Sequence, residues 1–261
     1  MNQSALTRVV LLGASNLALS FPLVVRQLAA GLPGPLEIFG AFGHGRSYCT
    51  WSRVLFRGLP GIDRCGLWAD LERAVAEQPA RTLALVSDVG NDLIYGSVPD
   101  VIERRVEQCL ATLAEHGAEI VMTRIPLASV ERLSALRFHA TKTIFFPRTR
   151  VSWPTMLERA RTMDRTLAEL AVRYSARAIA QPLAWYGFDP IHIRYRQRPA
   201  AWRTIFSGWP SYGASDVSAR WSARESVRLR LAAPAERLLF GRRQLRPQPS
   251  LISNGLTLRL Y

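Results

Sequence analysis

Residues 8–25 read RVVLLGASNLALSFPLVV, and the way this apolar stretch is broken decides the fold. Residues 8–12 have the character of a buried strand, with Val9 to Leu12 unbroken. Gly13 to Asn16 supply a tight turn, and residues 17–30 continue with helical character. In bulk hydrophobicity the stretch resembles a secretory signal. Gly13, Ser15, Asn16, Ser20 and Pro22 nevertheless interrupt the compact run that such a signal requires. Strand, sharp turn and helix form the opening unit of an α/β protein, and a cytoplasmic location is the corresponding expectation.

The alternation continues downstream. Residues 36–39 read as a strand entering the glycine-rich GAFGHGRSY, residues 67–77 as a helix, and 82–86 as an apolar strand ending at SDVGND. Residues 101–116 and 156–174 have helical spacing, 119–123 reads as a strand, and 178–180 is a weaker one. Strands alternating with helices predict a parallel sheet covered on both faces, with its binding crevice beyond the carboxyl ends of the strands. The rhythm fades after about Arg194. The expected organisation is a body over residues 1–195 and an arginine-rich C-terminal extension over 196–261. Within the extension, residues 238–261 have the pattern of a β-hairpin turning at Ser253-Asn254-Gly255.

Composition limits the function classes. The chain has 261 residues, of which 48% are hydrophobic and 21% charged, too apolar for a disordered chain. No clean apolar run reaches eighteen residues, so no membrane span is expected. Cys49, Cys65 and Cys109 are odd in number and lack ligand spacing, so neither a disulfide framework nor a zinc site is implied. The net charge is +14, and Lys142 is the only lysine. Residues 193–261 hold 13 arginines against Asp216, Glu225 and Glu236, a net of +10. Such an end can hold phosphates, but zinc-finger spacing, an RNP-like aromatic motif and a long basic run are all missing. Nucleic acid is therefore not the expected partner, and a solvated arginine surface is the plainer reading.

Chemistry is expected at the strand ends. Ser15 on a strand-to-helix turn places a hydroxyl beside helix N-terminal amides, although serine is also a good helix cap. In Gly43-His44-Gly45-Arg46-Ser47-Tyr48 the glycines let main-chain amides approach a ligand, or simply form a turn; His44 reads as a polar loop residue. Asn91, in Asp88-Val89-Gly90-Asn91-Asp92, offers a neutral amide donor, while Asp92 caps the next segment or braces the loop. In Asp189-Pro190-Ile191-His192 the spacing lets the carboxylate orient one ring nitrogen while the other faces a hydroxyl. Aspartate before proline is equally a helix N-terminal pattern.

In this order, the four blocks resemble those of the SGNH (GDSL-type) hydrolase superfamily, over residues 8 to about 192. The resemblance implies an α/β, flavodoxin-like three-layer α/β/α sandwich with a central parallel sheet. It also implies Ser15 as nucleophile, with Asp189 and His192 completing a triad. The amides of Ser15 and Gly45 and the side chain of Asn91 would form the oxyanion hole. Two positions depart from the family pattern: Ala14 replaces the aspartate of Gly-Asp-Ser, and Val89 replaces the leading glycine of Gly-x-Asn-Asp. The expected activity is hydrolysis of an ester of a small molecule or carbohydrate, with no cofactor and no metal. Arg46, Tyr48, Trp185 and Tyr186 are the candidate substrate contacts. An acyltransferase using the same triad and a non-catalytic binding protein on the same scaffold are the alternatives. A dinucleotide-binding fold is disfavoured, because the three spaced glycines are absent and residues 36–39 end without an acid.

Overall fold

Six consecutive buried residues place β1 (Thr7–Leu12) at the centre of a sheet rather than at its edge. The computed structural model describes residues 5–134, 151–213, 223–253 and 255–261. After β1 come α1 (Ser15–Gly31), β2 (Leu36–Ala41), β3 (Ser52–Val54), β4 (Arg57–Leu59), α2 (Leu67–Glu77) and β5 (Arg81–Val86). The chain continues through α3 (Pro99–Glu115), β6 (Glu119–Thr123), α4 (Trp153–Arg173), β7 (Arg177–Ile179) and α5 (Arg198–Phe206). It closes with α6 (Ala223–Leu231), β8 (Glu236–Leu239), β9 (Arg242–Leu245), β10 (Leu251–Ser253) and β11 (Leu256–Leu260). Lys142, Asp216 and Asn254, singled out in the sequence, lie outside the described residues.

The main sheet has the order β10-β11-β2-β1-β5-β6-β7. Its neighbours are parallel except for the antiparallel pair β10 and β11. The run β2-β1-β5-β6-β7 is the flavodoxin-like doubly wound order. Side chains alternate between the faces, and each face meets its own helices. Val9, Leu11, Ile38, Leu83 and Leu85 pack with α1 and with Trp202, Ile205 and Phe206 of α5. Val10, Leu12, Phe39, Ala84 and Val86 pack with Leu71 of α2, Val106 of α3 and Met163 of α4. The result is a three-layer α/β/α sandwich.

Residues beyond 195 do not stand apart from this body. Strand β11 runs parallel to β2, with Leu258 opposite Ile38, and α5 packs in the same core as α1. Strands β10 and β11 pair antiparallel, with Ser253 opposite Leu256. Arg259 on β11 also meets Glu37, whose other oxygen accepts from the buried Arg8 at 2.9 Å. One C-terminal arginine is thereby tied into a three-strand polar link below the core. A second, four-stranded sheet of order β3-β4-β8-β9 has no counterpart in the sequence reading.

Register fixes where a site can form. Leu12 lies opposite both Ala41 and Val86, so β1, β2 and β5 end level with one another. The loops that follow these three strands therefore emerge side by side at one edge.

Candidate active site

The turn after β1 is tight because Gly13 has no room for a side chain. A Cβ there would lie 2.3 Å from Ser87 Oγ and 2.8 Å from Leu17 Cδ1. Helix α1 begins at Ser15, two residues before the point suggested by sequence. Ala14 precedes it at φ −136° and ψ −126°, with no side-chain cap. The Ser15 hydroxyl is thus left free of capping and lies 2.8 Å from His192 Nε2.

His192 sits on a loop closed by the Arg194 N–H donating to Trp185 O at 2.9 Å. Within that loop, Asp189 Oδ1 accepts the N–H groups of Ile191 and His192 at 3.0 and 3.1 Å. Its Oδ2 is 2.6 Å from His192 Nδ1. A carboxylate can only accept, so Nδ1 carries the proton and Nε2 is left to accept from the serine hydroxyl. Burial pulls the His192 ring down. The hydrogen bond and charge of Asp189, with a further contribution from Asp88, outweigh it and hold the pKa above the ordinary histidine value. Burial pushes Asp189 up, but the His192 ring and the two N–H donors leave it below the usual carboxylate value.

Two residues of this arrangement were missed by sequence reasoning. Asp88 adopts φ +58°, a left-handed conformation that aspartate tolerates better than most residues. Its Oδ2 accepts the N–H groups of Ala14 and Asn16 at 3.0 and 3.2 Å, on either side of Ser15. Its Oδ1 accepts from Asn16 Nδ2 at 2.8 Å. Asn16 Nδ2 also donates to Ile191 O at 2.9 Å, and its Oδ1 accepts the Ile193 N–H at 2.9 Å. One asparagine thus ties the serine turn to both residues flanking His192. The only signal for this in the sequence was an acid two residues beyond a buried strand.

The loop after β2 brings main-chain donors to the same edge. Gly45 adopts φ +62°, and a Cβ on it would lie 2.5 Å from Val54 Cγ2 and 2.8 Å from Tyr95 Oη. Tyr95 Oη donates to Gly45 O at 2.5 Å. The N–H groups of Ser15 and Gly45 have no acceptor among the described residues. Asn91, half-buried, begins a one-turn helix, Asn91–Ile94, and its Nδ2 lies 3.5 Å from Arg46 O. Asp92 is fully buried and braces the loop, accepting from the Tyr48 N–H at 2.8 Å, the Cys49 N–H at 3.2 Å and the Ser47 hydroxyl.

The four candidate substrate contacts are placed differently from one another. Arg46 is fully buried, with Nε donating to Pro60 O at 3.2 Å and Nη1 to the main-chain oxygen of Tyr261. Tyr48 is also fully buried, its hydroxyl donating to Ser87 O at 2.8 Å. Trp185 belongs to the core under α1. These three support the site from beneath and present no face to a substrate. Tyr186 is buried in the same core, yet it borders a cleft of about 600 Å³ with Ser129, Leu133, Phe188, Pro190 and Arg194, against the loop that carries Asp189. His44 is exposed; its pKa is lowered by partial burial and by the nearby charges of Arg57 and His192.

Comparison with solved structures finds similar chains. TesA shares 16% identity at a TM-score of 0.47, covering 78% of this chain and 99% of its own. The psychrotrophic esterase EstA from Pseudoalteromonas sp. shares 9% at 0.45, covering 77% and 95%. The M. smegmatis aryl esterase shares 10% at 0.47, covering 78% and 100%. No family model and no curated protein matches the chain. No described helix is long and apolar enough to cross a membrane. Among the described residues, no group of three or more His, Cys, Asp or Glu side chains is placed to hold a metal ion.

Proposed function

We propose that the chain is a serine hydrolase of the SGNH type, cleaving an ester of a small molecule or carbohydrate through an acyl-enzyme on Ser15. The observation that carries this reading is His192, whose two ring nitrogens meet Ser15 Oγ at 2.8 Å and Asp189 Oδ2 at 2.6 Å. Nε2 accepts the hydroxyl proton as Ser15 Oγ bonds to the acyl carbon, and the carbonyl electron pair moves onto oxygen. Asp189 holds the tautomer and stabilises the imidazolium that forms. The oxyanion is met by the unpaired N–H groups of Ser15 and Gly45 and by Asn91 Nδ2. Collapse expels the alcohol oxygen, which takes the proton from His192. Water then repeats the sequence, and the acid is released.

Three free cysteines, two of them buried, suit a reducing cytoplasmic setting. The test is turnover of p-nitrophenyl acetate by the wild type, Ser15→Ala and His192→Ala. Wild-type turnover well above both variants supports the reading, whereas equal rates from all three refute it. Adding alcohols as competing acyl acceptors separates hydrolysis from acyl transfer.

A further inference from the structure

The second sheet ends in two adjacent turns that expose apolar side chains. Leu55 and Phe56 form the β3–β4 turn, and Phe240 opens the β8–β9 turn. Arg57 pairs with Leu239 across the sheet, which brings both turns to the same end. The Phe240 N–H donates to Phe56 O at 2.9 Å, and the two rings stack at 4.5 Å. Leu55 is nonetheless 90% exposed, Phe240 72% and Phe56 53%. Leu55 and Phe240 also hold φ +54° and +50°, a region that side chains with a Cβ avoid. The positive φ values close the two-residue turns, whereas three large apolar side chains exposed at one tip bury nothing within the fold and mark a contact site for something outside it.

Charge identifies what that is. Arg53, Arg57, Arg237 and Arg242 belong to the same two hairpins. Arg237 reaches only Gln244, and Arg53, Arg57 and Arg242 have no ion pair among the described residues. Val54, on the first hairpin, packs against Gly45, so the tip stands at the rim of the candidate active site. We infer that the paired turns dock the protein on an anionic lipid bilayer, with Leu55, Phe56 and Phe240 entering the headgroup region and the arginines pairing with lipid phosphates. An apolar tip flanked by Arg57 and Arg242, with Arg53 and Arg237 further along the same hairpins, matches the two layers of a membrane interface. A second copy of the chain would bring arginine against arginine. Nucleic acid would reward neither the burial of Leu55 nor two phenylalanine rings already stacked on each other. The inference does not depend on the chemistry of Ser15.

The experiment is co-sedimentation of the full chain with vesicles of phosphatidylcholine plus phosphatidylglycerol, and of phosphatidylcholine alone, at low and high salt. The wild type is expected to bind the anionic vesicles at low salt and the neutral ones weakly. Arg53→Gln with Arg242→Gln should lower the anionic partition about fivefold per arginine, roughly 25-fold together. Phe56→Ser with Phe240→Ser should lower it about tenfold or more, with unchanged far-UV circular dichroism. Leu55→Ser, at an exposed turn, is the second apolar variant and is expected to act in the same direction. Three outcomes overturn the inference: no binding to anionic vesicles at low salt, or binding unaffected by both pairs of substitutions. The third is self-association or single-stranded DNA binding that the substitutions abolish in a protein that ignores vesicles.

Discussion

Asp88→Asn removes a charge from the turn that carries Ser15 while keeping a side chain of the same shape. Asparagine also tolerates the left-handed conformation at φ +58°, so backbone strain is not the variable. In the wild type, one carboxylate oxygen accepts two N–H groups flanking Ser15 and the other accepts from Asn16 Nδ2. A hydrogen bond to a charged group contributes about 1.5–3 kcal/mol and a neutral one about 0.5–1.5 kcal/mol. The asparagine carbonyl can keep the two N–H bonds in weakened form, but its NH2 then faces the NH2 of Asn16 and that bond is lost. The expected cost is about 3.5–6 kcal/mol of stability. If one to two weakened bonds are felt in the transition state, kcat/KM falls about 10- to 100-fold, at a decade per ~1.4 kcal/mol.

The pH profile gives an independent reading of the same change. His192 must be neutral to accept the serine proton, so activity falls as pH drops through its pKa. That pKa is raised, with Asp88 contributing after Asp189, so removing the charge moves the acid limb to lower pH. The assay is kcat/KM for p-nitrophenyl acetate across the acid limb, with chemical denaturation as the stability control. A variant within twofold of the wild type, with an unmoved limb, would refute the bracing role of Asp88.

Other substitutions separate the remaining parts. Asp189→Asn should cost about 10³- to 10⁴-fold in kcat, because the amide can hold the ring in the wrong tautomer. The raised His192 pKa adds stability that is present below the ordinary histidine range and lost as pH rises through the folded value, so Asp189→Asn should destabilise more at pH ~5.5 than at ~8.5. Denaturation curves of equal displacement at both pH values would contradict this. Asn91→Ala should lower kcat about 10²- to 10³-fold with little change in KM, as expected for a donor that acts on the developing oxyanion. A KM effect alone would assign Asn91 to substrate binding instead. Arg46→Met should cost about 3–5 kcal/mol in urea unfolding, because two buried carbonyls lose a charged donor. Its kcat/KM should stay within about threefold where the protein is folded. Lost activity with intact stability would return Arg46 to the substrate.

Local pattern carried the strand–helix alternation, since Val9 to Leu12 and residues 82–86 declare buried strands without any tertiary information. The meeting of Ser15 with the Asp189–His192 pair was legible for a related reason, because it depends on positions near a strand end or three residues apart. Asp88 was not legible, because its function comes from a left-handed backbone that carries the carboxylate across to the neighbouring strand's turn. Asn16 reads as an ordinary turn residue until residues 191–193 arrive 175 or more positions later. Arg46 and Tyr48 have residue types that suggest a surface, yet Tyr261 and the Ser87 main chain meet them in the interior. The second sheet pairs strands of three and four residues across most of the chain, too short for a periodic signal.

The central claim is that Ser15 is a nucleophile activated by His192, and covalent labelling tests it most directly. A fluorophosphonate probe, followed by peptide mass spectrometry, should place a single phosphonyl adduct on Ser15 in the wild type. Labelling should vanish in Ser15→Ala and slow by orders of magnitude in His192→Ala. An unlabelled wild type, or an adduct that persists at full rate in Ser15→Ala, would contradict the account.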